Sequence, residues 1–159
     1  MYIDYRELGL TKIKQRLVDD KEYLGLKSIK RNSNDPISKD MMNAIFILEG
    51  RDYITEHASR SFIGYPAKRM LEVDIEIVTK NDRDGKAIKE LYQKVRRTIL
   101  CDRIVNSDLS VTYTPNPILA DNTAIRELRT LGAGLYDIPE LIGMKLVLGL
   151  YYIDYGFDI

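Results

Sequence analysis

The sequence predicts an α+β fold: an antiparallel or mixed sheet with a long β-hairpin and helices packed on one face. Three observations carry that prediction. Leu71, Val73, Ile75 and Ile77 alternate with Glu72, Asp74, Glu76 and Val78. A period of two marks a strand with one apolar face and one mainly acidic face. After the turn Asn81-Asp82-Arg83-Asp84-Gly85 the period changes, and Ile88, Leu91, Tyr92, Val95 and Ile99 form the stripe of an amphipathic helix. A second strand-like run, Ile45-Phe46-Ile47-Leu48, lies upstream of the first, across a long connection with neither period.

The remaining elements follow in chain order. Leu8, Leu10, Ile13, Leu17 and Leu24 sit among charged residues and predict a helix from Thr11 to Leu24, with Thr11 as cap and Gly25 as stop. The polar stretch Ile29 to Lys39 reads as a loop. Beyond Leu48, Tyr53-Ile54-Thr55 resumes the strand past a bulge or bend. Residues 56–70 form the long connection, and the strand after it covers Met70 to Thr79. The second helix covers Gly85 to Leu100. Leu109, Val111 and Tyr113 alternate with Ser110, Thr112 and Thr114 in a short strand that Pro115-Asn116-Pro117 stops. Ile118 to Thr123 reads as a loop, while Ile125, Leu128 and Leu131 fit either a helical turn or a strand. Met144 to Tyr155 is the last strand, apolar on both faces, and therefore central or covered by a neighbouring copy.

Composition narrows the function. The 159 residues suit one domain, 1–159, and 45% hydrophobic content can build a core. Lys and Arg number 24, as do Asp and Glu. A net charge of zero speaks against a dedicated nucleic-acid binder and offers little repulsion between copies. One cysteine, Cys101, allows no intrachain disulfide and suggests a reducing compartment. The opening residues do not read as a signal peptide, and no run reaches the roughly 18 apolar residues of a membrane span. The 11 tyrosines, against 3 phenylalanines and no tryptophan, suit half-buried sheets and protein interfaces.

Reactive chemistry is sparse. His57 is the single histidine, with Ser59 and Ser61 nearby but no nucleophile elbow, so it reads as a loop or interface residue. Cys101 reads as a helix-end residue. Asp82-Arg83-Asp84-Gly85 lacks the closing Glu of a calcium loop, because Gln93 stands there; the segment reads as a turn with a helix cap. Gly132 and Gly134 lack the third glycine of a dinucleotide fingerprint. Lys94, Arg96 and Arg97 suit a helix C-terminus. No catalytic, cofactor-binding or metal-ligating residue is assigned. The connection mixes Arg60, Lys68 and Arg69 with Phe62, Ile63 and Tyr65, the blend found at interface centres.

This order of elements resembles the tail terminator, or tail completion, proteins of long-tailed bacteriophages. The strand Met70 to Val78 running into Gly85-Lys86-Ala87-Ile88 carries most of the likeness. The matching pieces are Thr11 to Leu24, Ile45 to Thr79, Gly85 to Leu100 and Leu109 to Tyr155. The resemblance implies a hexameric ring that caps the tail tube, ends its polymerisation and joins tail to head. It implies no enzyme activity and no cofactor. The implied partners are further copies of the chain, the tail-tube protein with the sheath as an additional one, and a head-completion or connector protein. DNA passes through the lumen without sequence-specific binding, and no membrane is involved. The implied location is the virion tail or neck, assembled in the host cytoplasm. Arg60, Phe62, Ile63, Tyr65, Lys68, Arg69, Tyr151 and Tyr152 are the expected interface, and Glu72, Asp74 and Glu76 the expected lumen surface. Another neck protein and a small hydrolase or nuclease remain as alternative readings.

Overall fold

The computed structural model describes residues 3–33, 38–57 and 66–156. Its elements are α1 (Tyr5–Asp19), α2 (Lys21–Leu24), β1 (Ser28–Arg31), β2 (Ala44–His57), β3 (Ala67–Lys80), α3 (Lys86–Leu100), β4 (Cys101–Val105), β5 (Val111–Pro115), β6 (Ile118–Ala120), β7 (Thr123–Leu135) and β8 (Leu141–Asp154). Six strands make one sheet in the order β1-β2-β3-β8-β7-β6, and β4 pairs only with β5. β1 runs parallel to β2, and the other pairs are antiparallel. The sheet is therefore mixed, with the expected long hairpin β2-β3 and helices on one face.

Alternation builds the core. Leu71, Val73, Ile75 and Ile77 of β3 and Leu146, Leu148 and Leu150 of β8 pack against Leu10, Ile13 and Leu17 of α1. Ile88, Leu91, Tyr92, Val95 and Ile99 of α3 close the same layer. Gly9 lets α1 approach closely, since a Cβ there would sit 2.6 Å from Leu150. A smaller cluster, Ala44, Phe46, Val78 and Leu141, covers one end of the opposite face. β8 is central, between β3 and β7, and on its face away from the helices Val147 and Gly149 are buried too, with the side chains of Met70, Leu128 and Tyr151 closing over Gly149.

Several boundaries differ from the sequence expectation. The first helix begins at Tyr5, where Asp4 caps it by accepting from the Glu7 N–H at 3.0 Å. It breaks at Asp20, and α2 ends at Gly25 in the left-handed region, φ 67°. Ile29 to Arg31, expected as loop, belong to the edge strand β1, whose four residues are too few to show a period. β2 and β3 reach further than expected, so Lys68 and Arg69 belong to a strand, paired with Ile153 and Tyr152. Ile118–Ala120 is a short strand, not loop, and Cys101–Val105 is a strand no pattern announced. The segment Ile125 to Leu131 is strand. A bulge between Glu127 and Arg129 adds a residue and turns a period of two into a spacing of three.

Candidate functional site

The bulge expected beyond Leu48 decides which side chains meet. Glu49 pairs with Val73 and Asp52 with Leu71, so β2 spends one residue more than β3 over that interval. Without it Asp52 would point away from the helices. With it, Glu49 and Asp52 both face the helix layer, where Arg6 of α1 meets them at 2.9 and 3.7 Å. Arg31 of β1 joins the group through Glu7 and lies 3.7 Å from Glu49. The Arg31 hydrogen bond holds the Glu7 carboxyl below its ordinary value, against the opposing effect of its own burial.

Arg69 and Tyr152 extend this network. Arg69 donates to Asp154 at 2.9 Å and lies 3.8 Å from Asp52. The Tyr152 phenol donates to Asp52. Burial, then the Asp52 carboxylate, push that phenol above its ordinary value. Lys68 is exposed and pairs with Glu56 at 3.1 Å.

Four of the expected interface residues share one cavity. Lys68, Arg69, Tyr151 and Tyr152 line a space of about 430 Å³, together with Thr55 and Ile118. Arg60, Phe62, Ile63 and Tyr65 lie outside the described residues. So do Ser59, Ser61 and the side chain of His57.

The acids Glu72, Asp74 and Glu76 lie on the sheet face opposite the helices, as their alternation with buried residues requires. Each has a different setting. Glu72 lies 3.5 Å from Arg129. Glu76 accepts from the Tyr136 phenol, which burial and that carboxylate push up. Asp74 sits in register between Leu48 and Val147, with no ion pair among the described residues.

The other singled-out residues have structural settings. Asp82 accepts from the N–H groups of Gly85 and Ala87, both at 2.9 Å, and opens α3 as a cap. The Ala87 bond first, and that of Gly85, hold its carboxyl below the ordinary value. Cys101 joins α3 to β4. Gly132 and Gly134 are in extended β7, so they cradle no phosphate. Lys94 lies over Tyr23, Arg97 over Tyr113, and Arg96 pairs with Glu127. Among the described residues no group of three His, Cys, Asp or Glu is placed to hold a metal ion.

Sequence reasoning missed Asp52, Asp154 and Arg6, which organise the network around Arg69 and Tyr152. The Gly50-Arg51 interruption of β2 is the signal that locates Asp52.

No protein-family model matches the sequence, and no curated protein matches it either. The fold is similar to that of a chain in the virion of a native gene transfer agent particle. The TM-score is 0.51 at 14% sequence identity, over 89% of this chain and 92% of that one.

Proposed function

We propose that this chain is a structural virion protein of a phage-like particle, acting by assembly and not by catalysis. The observation that carries this reading is the fold likeness to a virion chain over nearly the whole length of both. In the finer reading the chain forms a hexameric ring on the end of a tail tube, stops its growth and presents a surface to the head connector. A net charge of zero supports close packing of identical copies.

The assembly surface surrounds the cavity between Lys68, Arg69, Tyr151 and Tyr152; Arg60, Phe62, Ile63 and Tyr65, outside the described residues, are assigned to the contact by residue type. An apolar ring with a polar tip suits such a contact. Glu72, Asp74 and Glu76 share one face, which in the ring lines the lumen and repels DNA phosphates, so that DNA slides without sticking. The tube protein, the sheath and a connector are the partners outside the ring.

The test is the mass of the protein alone and with tail tubes, followed by electron microscopy of the product. A hexamer with an open centre, seated on tube ends, is the expected result. A protein that stays monomeric alone and leaves tubes uncapped overturns the reading. A ring whose lumen is lined by a different face overturns the role of the three acids alone.

A further inference from the structure

The β4-β5 ribbon stands apart from the main sheet, and a lone two-stranded ribbon is marginal in water. Its lower half is anchored. Arg97 lies 5.0 Å from the Tyr113 ring, and Arg103 lies 4.5 Å from that of Tyr23 and 3.3 Å from Asp20. The tip is held by its own atoms. Asn106 N–H donates to Ser110 at 2.8 Å, Leu109 N–H to Asn106 at 3.0 Å, and Ser110 N–H to Asp108 at 3.0 Å. In that turn Leu109 adopts φ 68°, a region that disfavours residues bearing a Cβ. Its side chain is 82% exposed, and Ile104, Val105 and Val111 beside it are exposed too. Glycine would make this turn at lower cost. A strained, bare leucine among exposed aliphatic residues indicates a surface that something covers.

A matching surface lies elsewhere on the chain. β7 pairs with β8 along its length, but β6 covers only its start, at Thr123 and Ala124. From Arg126 onward the other edge has no ladder partner among the described residues. Exposed edges are usually guarded by charge or proline. β1, the opposite edge, carries Lys30 and Arg31. The run Thr130-Leu131-Gly132-Ala133-Gly134-Leu135 carries neither. Beside it opens a cavity of about 350 Å³, lined by Leu131, Leu135, Tyr136, Met144 and Lys145, with Glu76 as its one carboxylate.

Charge and position complete the match. Asp108 is the acid at the ribbon tip, while Arg126 and Lys145 flank the receiving edge; the one acid of the cavity, Glu76, already accepts from the Tyr136 phenol. The ribbon leaves the sheet where β8 ends, near the 2.7 Å bond from Ile125 N–H to Pro117. The cavity lies where β8 begins, at Gly143. Two different patches at two ends of one chain make a head-to-tail contact, the kind that closes into rings.

We propose that the β4-β5 ribbon of one copy docks on the free β7 edge of the next, with Leu109 seated in the cavity beside Leu131 and Tyr136. This rests on the ring-forming reading and adds a second contact between copies to the surface around Lys68, Arg69, Tyr151 and Tyr152. The docked ribbon covers Glu76 and leaves Glu72 and Asp74 to face the lumen. Two variants test it. Leu109→Gly suits the left-handed turn, so the melting temperature of the isolated chain is unchanged or higher. Its self-association weakens by at least about tenfold, the loss expected for one buried leucine. In a Cys101→Ser background, Leu109→Cys protein mixed with Leu131→Cys protein forms a disulfide-linked pair faster than either forms alone. A wild type that assembles while Leu109→Gly assembles equally well and the mixture does not cross-link overturns the interface and leaves the ring reading standing. A wild type that assembles neither alone nor on tail tubes overturns both.

Discussion

The phenol of Tyr152 donates a hydrogen bond to Asp52, a residue that one extra position in β2 turns toward the helix layer. The bond joins the central strand to a bulge two strands away, since β3 lies between β2 and β8. Around it Arg6 and Arg69 balance Asp52 and Asp154.

Tyr152→Phe removes the donor and leaves a carboxylate whose other oxygen is buried without a hydrogen bond. We expect a loss of about 1–3 kcal/mol in urea unfolding. A variant as stable as the parent would show that the bond contributes nothing net.

Tyr136 and Tyr152 both titrate above the ordinary tyrosine value because of burial and a neighbouring carboxylate. The stability they contribute is whole below pH about 10 and disappears as pH climbs through their folded values. Phenolate absorbance should therefore show a late phase that shrinks in Tyr136→Phe and in Tyr152→Phe. A titration with a single ordinary phase would refute this.

Gly143 lies under the Tyr136 ring, and a methyl group there would collide with the phenol. Gly143→Ala is expected to cost about 1–3 kcal/mol through overpacking. It should also separate Tyr136 from Glu76, returning one tyrosine to ordinary titration. Unchanged titration with unchanged stability would mean the ring moves aside freely.

Asp82 has a lowered carboxyl value, so its cap on α3 is present above the ordinary aspartate range and lost as pH falls through the folded value. Asp82→Asn should melt at a lower temperature at neutral pH. The gap from the parent should close in strong acid. A gap that persists at acid pH would assign the cap to the neutral side chain.

Ile75 is fully buried between the helices and the sheet. Ile75→Ala should cost about 2–5 kcal/mol by the lost burial and the cavity left behind. A smaller loss by denaturant titration would show that the core there collapses readily.

Much of the fold is legible in the chain because β3 and α3 carry clean periods. Leu71 to Ile77 and Ile88 to Ile99 each keep one phase across an element. Where a strand shifts phase the pattern fails. The bulge at Glu127 makes Leu128 fall out of step, so strand and helix readings of β7 could not be separated. Four-residue β1 and the exposed ribbon strand Cys101–Val105 offer too few buried positions to show any period. The candidate site was half legible. Residue type marks Arg69, and the apolar last strand marks Tyr152. Their partners Asp52 and Asp154 could not be, because the contacts join residues far apart in sequence.

The place of β8 in the sheet sets a timetable for folding. Of the described strands it leaves the ribosome last, yet it sits in the middle. Until Leu141–Asp154 has been synthesised, β3 waits with one bare side and β7, from Arg126 onward, with no ladder partner among the described residues. The nascent chain is thus two unfinished half-sheets, prone to pair with the wrong neighbour while translation continues. A chain truncated before Leu141 should stay unfolded instead of forming a smaller version of the domain.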